Sequence, residues 1–496
     1  MGLCLPLAVL LGYFVAQPLD SVSIGVVFMV LALLCVPLFM KWHHLLLVLS
    51  WNTTANPLFL PGRPALWMLV AVISLFFAVL ARSLNSNRRF VQVPSMTRPL
   101  VFFAAVVVAT AMLTGGIGIR SLGSGSYGGK NYFCLLAAIM GYFAFTSHRI
   151  PTHRAGLYLG MFFLSGLTAM IGDAAFAAGP HFYFLTAIFV PDSGLDQAPG
   201  VIGGSATMVR LGALGGAGIS IYTWLLARHG IREVFTVGRP GRLFVVLLAI
   251  VGCLVSGFRS SLVIFVLIFG CVFWFEGLHR TRLLPIMAVL GLLAAVLVLP
   301  HAEKLPLMAQ RALSFLPAVE IDPVAKESAQ ASTEWRVEMW KQVLPQVPKY
   351  LIKGKGYVID PGDLFLAQQS AQRGFAIQAA SALVAGDYHN GPLSILIPFG
   401  IFGLIGFIWL MIASLRVLYH HYRFGDPSLR RVNTFLLAFF VAKILFFLFI
   451  FGSLSSDLYA FLGLVGLSIS LNGAPHTAPE SEASAEALTM VPESVY

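Results

Sequence analysis

A chain of 496 residues that is 58% hydrophobic and only 11% charged, with a mean hydropathy of +0.84, carries more apolar surface than a soluble core can bury. That excludes a soluble globular protein. The net charge of +11 would suit a nucleic-acid binder, but the basic residues sit in short connections between apolar runs, as the positive-inside rule expects of cytoplasmic loops, so no nucleic-acid partner is expected.

Apolar runs able to cross a hydrocarbon layer of about 30 Å recur along the chain, roughly 12 to 14 of them, and predict an all-α, polytopic integral membrane protein. The spans are expected near 3–19, 21–40, a broken 45–60, 65–81, 100–114, 131–147, 155–171, 201–227, 243–256, 260–276, 283–299, 391–415, 433–451 and 455–471. The first run lacks a basic n-region and an A-x-A cleavage site, so it reads as a helix rather than a leader. Basic connections follow in order: Lys41 to His44; Arg82 with Arg88, Arg89 and Arg98; His148 to Arg154; Arg228, Arg232, Arg239 and Arg242; Arg280 with Arg282; and Arg416 with Arg423 to Arg431. If all face the cytoplasm, the intervening helices alternate without contradiction and both termini lie inside.

The other side then receives the Gly-rich 114–131 connection, the 172–200 connection, a tight turn at Ser256–Ser260 and a long segment over 300–390. A connection of about 90 residues is far beyond ordinary lengths and is expected to be functional and partly helical. Trp335, Met339, Trp340, Val343 and Leu344 recur at near-helical spacing beside Glu334, Arg336, Glu338 and Lys341, which predicts an amphipathic helix suited to a membrane interface. A second helix is expected to start after Pro361-Gly362-Asp363 and run to Gly386. The chain thus divides into N-terminal transmembrane helices (1–299), a long periplasmic loop (300–390), C-terminal transmembrane helices (391–471) and a tail (472–496) whose Glu480, Glu482, Glu486 and Glu493 stand without Lys or Arg, a disordered composition. The five cysteines fall inside apolar runs without C-x-x-C spacing and read as small core residues.

Four side chains stand out on the predicted outer side. Arg210, at the outer start of a helix, carries a charge that is costly near lipid and so faces either a cavity or a partner, or snorkels as an interfacial anchor. Arg259 occupies the outer turn between two helices, flanked by Ser256, Gly257, Ser260 and Ser261; small neighbours admit a bulky ligand, and a guanidinium binds phosphate in a two-pronged fashion. His389 lies where the long loop enters its helix and is able to exchange a proton near neutral pH, as a general base acting on a sugar hydroxyl must. Arg336, on the amphipathic helix, is either one more phosphate or glycan contact or a solvated charge. Asp387, two residues from His389, would face elsewhere on a helix and is not expected to orient the ring.

Several matches carry no chemistry. Gly123-Ser124-Gly125-Ser126-Tyr127-Gly128 fits G-x-G-x-x-G but follows no predicted strand, and Lys353-Gly354-Lys355-Gly356 lacks P-loop spacing. There is no H-E-x-x-H or Asp/His metal cluster, no cofactor is expected, and the carboxylates Glu334, Glu338, Asp360 and Asp363 show no glycosidase pairing.

The order Arg210-Leu-Gly, then Ser256-Gly-Phe-Arg259-Ser-Ser, then Arg336-x-x-x-Trp340 and Gly354-x-Gly356, then His389-Asn390 leading into Ile401-Phe402-Gly403 resembles the O-antigen ligase and O-antigen polymerase superfamily of bacterial polysaccharide assembly. The resemblance covers most of 201–403. It implies a metal-independent, inverting glycosyltransferase that takes a glycan from a polyprenyl-diphosphate-linked donor to a lipid or saccharide acceptor at the outer leaflet of the cytoplasmic membrane. Arg210 and Arg259 would neutralise the diphosphate and His389 would activate the acceptor hydroxyl. Polymerase, ligase and protein-modifying oligosaccharyltransferase share that donor and remain open. From another class, a secondary transporter or lipid-linked glycan flippase is kept open by Asp173, Lys443 and Asp457 near predicted helix ends.

Overall fold

The structure, a computed structural model, describes residues 9, 12, 21–58, 60, 62–85, 90–118, 128–191, 211–236, 238–316, 319–359 and 386–475. The helices in chain order are α1 (Ser21–Ser50), α2 (Leu66–Leu84), α3 (Pro94–Thr114), α4 (Gly129–Phe145), α5 (Ala155–Leu164), α6 (Ala169–Ala178), α7 (Gly212–Val234), α8 (Pro240–Val255), α9 (Arg259–Phe275), α10 (Leu283–Val298), α11 (Leu307–Leu313), α12 (Pro323–Val343), α13 (Val347–Tyr350), α14 (Gly391–Phe424), α15 (Arg430–Phe449) and α16 (Leu454–Asn472). Extended pairing among the described residues is limited to one isolated bridge between Ala55 and Phe189.

Seven helical stretches among the described residues are long and apolar enough to cross a membrane: α2, α3, Thr152–Ala178, Leu283–Lys304, α14, Pro427–Phe449 and α16. The apolar α8 and α9 are shorter. The fold is all-α and multi-pass. The expected span at 3–19 lies outside the described residues apart from 9 and 12, as do the expected helix after Pro361 up to residue 385 and the tail beyond 475.

The break expected between 40 and 45 is absent, because α1 runs to Ser50. His43 and His44, which suggested a loop, are buried: His43 Nδ1 lies 2.9 Å from the Ser74 hydroxyl and His44 Nε2 lies 3.0 Å from the Phe145 carbonyl. A polar side chain with an internal partner does not need water. Cys134 and Cys253 are buried free thiols, as expected of core residues.

Small residues let the helices approach closely, the usual device where lipid supplies no hydrophobic drive between them. The buried Trp51 indole lies against Gly141 of α4 and Gly463 of α16, and donates through Nε1 to the Tyr459 carbonyl at 3.1 Å. Its ring meets Phe145 at 4.8 Å between centroids, and Phe145 in turn packs on Gly466. The same helices form one continuous core. By contrast α10 buries none of its side chains.

α14 is broken in mid-course. Pro398 supplies no N–H, and Gly400 leaves the helical region at φ 61, ψ −158. The backbone groups released there are taken up by the chain after α13: Lys355 N–H donates to the Ile397 carbonyl at 2.8 Å and Gly356 N–H to the Pro398 carbonyl at 2.9 Å. In return, Ile401 N–H donates to the Leu351 carbonyl at 2.7 Å. Gly354 and Gly356 both sit at positive φ and against backbone or side chains that a Cβ would strike. That is the structural reason for Gly354-x-Gly356, and it ties the long loop to the middle of α14.

Gly463→Leu is expected to lower thermal stability in detergent by about 1–3 kcal/mol, because the new side chain collides with the Trp51 indole and neither neighbour has room to shift. An unchanged melting temperature would show that this seam is looser than described.

Candidate functional site

The site begins at the α8–α9 turn. Gly257 at φ 75 reverses the chain, and α9 starts at Arg259. The turn is held from the loop: Arg311 of α11 is buried, its guanidinium donates to the Gly257 carbonyl, and its Nε donates to Ser328 Oγ of α12 at 3.0 Å. Its neighbour Gln310 is buried too and bonds the Glu303 and Leu305 carbonyls at 2.9 and 2.8 Å while accepting from Asp322 N–H at 2.7 Å. These two buried side chains, each matched by hydrogen-bond partners, fix the geometry of the loop around the α8–α9 turn.

α12 starts at a helix cap in which the Asp322 carboxylate accepts from Val324 N–H at 2.8 Å. The helix was expected near 334–344 at a membrane interface. It starts a full 11 residues earlier, at Pro323, and its apolar face is spent on protein. Met339 and Val343 are buried against Tyr388, Leu393 and Ile397, because the entrance of α14 offers them the same escape from water that lipid would. The Trp340 indole donates to the Tyr388 carbonyl at 2.8 Å and fixes the 386–390 segment beneath the helix.

The structure brings three of the four singled-out residues onto this helix. Arg259 Nη2 donates to the Ala329 carbonyl and to Thr333 Oγ1, both at 3.0 Å. One turn further on, the Arg336 guanidinium stands over the Phe451 ring at 5.6 Å and near Trp335 at 5.8 Å, within cation–π range. His389 packs on the same two rings, 4.6 Å from Phe451 and 5.1 Å from Trp335. Arg210 lies outside the described residues. The next residue, Leu211, donates its N–H to the Ser256 carbonyl at 3.3 Å, beside the Arg259 turn.

His389 adopts φ 48, a left-handed conformation uncommon for a side-chain-bearing residue. Residues 386–390 are therefore not helical, and the expectation that Asp387 faces away is corrected: its Oδ1 accepts from His389 N–H at 3.3 Å and approaches Nδ1 at 3.5 Å. The approach to Nδ1 is an electrostatic contact, since the geometry leaves Nδ1 without a hydrogen bond. Burial lowers the imidazole pKa from its ordinary value, Asp387 opposes the shift and Arg336 adds to it. The shift favours the neutral ring, the form with a lone pair to accept a proton. Asn390 then caps α14 by accepting from Leu393 N–H at 3.1 Å.

Phe451 also lines a cavity of about 450 Å³ that reaches Ser260, Ser261, Ser220, Lys443 and Asp457. Lys443 of α15 donates to Asp457 Oδ1 at 3.0 Å, and Asp457 Oδ2 accepts from Ser453 N–H at 3.0 Å. A lone ionised side chain is costly in an apolar helix, about 2.5–3.5 kcal/mol at a helix centre on insertion scales, and a partner offsets the cost. Sequence reading noted both charges but had no reason to pair them, and it missed Phe451, which is one more phenylalanine among 40. A larger cavity of about 490 Å³ between α3 and α14 is apolar apart from Thr110 and Lys353, and touches none of Arg259, Arg336 or His389.

A family model described as O-antigen ligase matches residues 244–408. This segment is similar to the O-antigen ligase family. A search of curated proteins finds no match. The O-antigen ligase segment opens in α8 and closes in α14, so Arg259, Arg311, Arg336, Asp387 and His389 fall within it, while Phe451, Lys443 and Asp457 lie beyond its end.

Arg311→Met is expected to destabilise the protein by about 1–3 kcal/mol, the cost of leaving the Gly257 carbonyl buried without its donor, and to lower activity by releasing the Arg259 turn. Thermal unfolding and activity measured on the same preparation check this; full activity with reduced stability would separate the turn from the site.

Proposed function

We propose that the chain is an inverting glycosyltransferase that moves or polymerises a glycan from a polyprenyl-diphosphate-linked donor onto an acceptor hydroxyl. The observation that carries this reading is the gathering of Arg259, Arg336 and His389 along α12, at the Phe451 side of a cavity that also holds Ser260, Ser261 and Lys443, within a segment of O-antigen ligase character. The proposed setting is the bacterial cytoplasmic membrane with the 300–390 loop and this site extracytoplasmic. In this reading 1–299 and 391–471 are the membrane-embedded parts, and the 300–390 loop contributes α11–α13.

The chemistry divides by residue type. The acceptor oxygen attacks the anomeric carbon, the bond from that carbon to the diphosphate oxygen breaks with its electron pair leaving on the diphosphate, and the anomeric centre inverts. Arginine stays charged at any working pH, so Arg259, together with Arg210 two residues before α7 in sequence, suits the permanent and growing negative charge of the leaving group. Arg336 supports the same anion or the glycan beside it. His389, neutral and positioned by its turn, takes the hydroxyl proton. The acceptor is a saccharide or lipid hydroxyl, and the transfer belongs to lipopolysaccharide or exopolysaccharide assembly; a ladder of products marks a polymerase and a single transfer a ligase. The second reading, a transporter or lipid-linked glycan flippase, is favoured only by the Lys443–Asp457 pair within the span.

Arg259→Ala and His389→Ala are each expected to reduce glycan transfer from a synthetic polyprenyl-diphosphate donor by about 10²-fold or more while membrane insertion stays intact. Normal transfer by both would sink the assignment, and absence of turnover by the wild type with lipid, saccharide and peptide acceptors would favour the transporter, tested by flux across vesicles.

The acid limb of kcat/KM is expected to follow His389, which must be neutral to act. Removing the neighbouring cation in Arg336→Gln raises the imidazole pKa and moves the limb to higher pH. Removing the neighbouring anion in Asp387→Asn lowers it and moves the limb to lower pH. Coincident pH profiles for wild type and both variants would show that another group controls the reaction.

A further inference from the structure

We propose that Lys443 is a binding residue for the diphosphate of the lipid-linked donor, held in readiness by Asp457, and that the cavity between α7, α9, α15 and α16 receives that anion. The assignment rests on the glycan-transfer reading above and extends its site beyond the 244–408 segment.

Asp457 is committed on both oxygens: one accepts from Ser453 N–H at the start of α16 and the other from Lys443 Nζ. Its position is therefore set by the helix it caps. An ammonium has three donors, and only one is spent on this carboxylate. The Lys443 side chain is 18% exposed and lines the cavity, with the Phe446 ring 5.8 Å from Nζ. Across the same cavity stand Ser260 and Ser261, which follow Arg259 in the first turn of α9, together with Ser220 of α7 and Asn52 and Thr54 beyond α1. The fifth side, Phe451, is the ring on which both Arg336 and His389 rest.

Asn52 Nδ2 already donates to the Phe162 carbonyl and Ser220 Oγ to the Gly216 carbonyl, so the donors turned toward an anion in this largely apolar cavity are the paired ammonium and the Ser260 and Ser261 hydroxyls at the Arg259 turn. Lysine suits it as a point charge for phosphate. Stability gives no separate reason for the pair, since apolar replacements of a buried ion pair are commonly as stable, and the Ser453 cap needs an acceptor at 457 but no cation at 443. With the cavity empty, Asp457 neutralises Lys443. With a diphosphate present, the ammonium bridges carboxylate and anion.

The test uses the full-length protein in lipid nanodiscs and reads two quantities: equilibrium binding of synthetic polyprenyl diphosphate, and kcat and KM for a polyprenyl-diphosphate-linked glycan. Lys443→Met is expected to weaken binding and raise donor KM by about tenfold or more, with Lys443→Arg recovering most of the loss. The deciding variant is Lys443→Met/Asp457→Asn, which removes both charges and keeps an acceptor for Ser453 N–H. If the pair only stabilises the fold, this double variant recovers wild-type binding because no charge is left orphaned; that result overturns the proposal, as does unchanged binding in Lys443→Met. If the ammonium holds the diphosphate, the double variant binds as weakly as the single one. A wild type that neither binds polyprenyl diphosphate nor transfers glycan would remove the underlying glycan-transfer reading, whereas a wild type that does both alongside unaffected variants removes the Lys443 assignment alone.

Discussion

Everything at the site depends on one exchange of backbone hydrogen bonds. A helix interrupted in an apolar setting leaves N–H and C=O groups that no lipid can satisfy, and such breaks survive only where protein supplies the partners. At Gly400 the partners come from residues 351–356, which give two donors to α14 and take one back. The long loop is therefore stitched into the membrane-embedded part of the molecule rather than resting on top of it. α12 is fixed at its C-terminal end by this stitch, and at its N-terminal end by Gln310 and Arg311.

Between those two anchors α12 becomes a ruler. Ala329, Thr333 and Arg336 fall on one side at spacings of four and three residues, so the Arg259 turn and the Phe451 ring are addressed by consecutive turns of the same helix. Trp335 and Trp340 address His389 and its carbonyl neighbour from the adjoining side. The permanently charged and the proton-exchanging groups come from segments distant in sequence, and a single rigid element sets their separation. Burial and the nearby guanidinium lower the His389 pKa while the Trp335 and Phe451 rings hold the imidazole.

Much of this was legible from residues. Arg259, Arg336 and His389 stand out because an ionisable side chain is conspicuous in so apolar a chain, and the turn at Ser256–Ser260 carries its own glycine signal. The failures have physical causes. Asp387 was placed facing away from His389 because helical geometry was assumed up to the start of α14, whereas a left-handed residue at 389 reverses the chain locally. His43 and His44 imitated a loop because sequence alone does not reveal that Ser74 and the Phe145 carbonyl await them. The Gly354–Gly356 pair was recognisable as a pattern, but its cause lies 44 residues away at Gly400, a separation that periodicity does not bridge. Phe451 gave no signal at all, since an aromatic residue in an aromatic-rich chain is camouflaged.

The contrast between α10 and α16 is one of dependence. α10 is wholly apolar and buries nothing, so it partitions into the bilayer on its own transfer energy and asks nothing of its neighbours. α16 carries Asp457, Ser468, Ser470 and Asn472, whose side chains pair with Lys443, His421, the His148 carbonyl and Asn433 outside the helix as well as with Ser453 N–H and the Ser468 carbonyl at its own two ends. It thus depends on its neighbours for polar partners in a way that α10 does not. Without it, Trp51, Lys443 and His421 would lose the Tyr459 carbonyl, Asp457 and the Ser468 hydroxyl as partners.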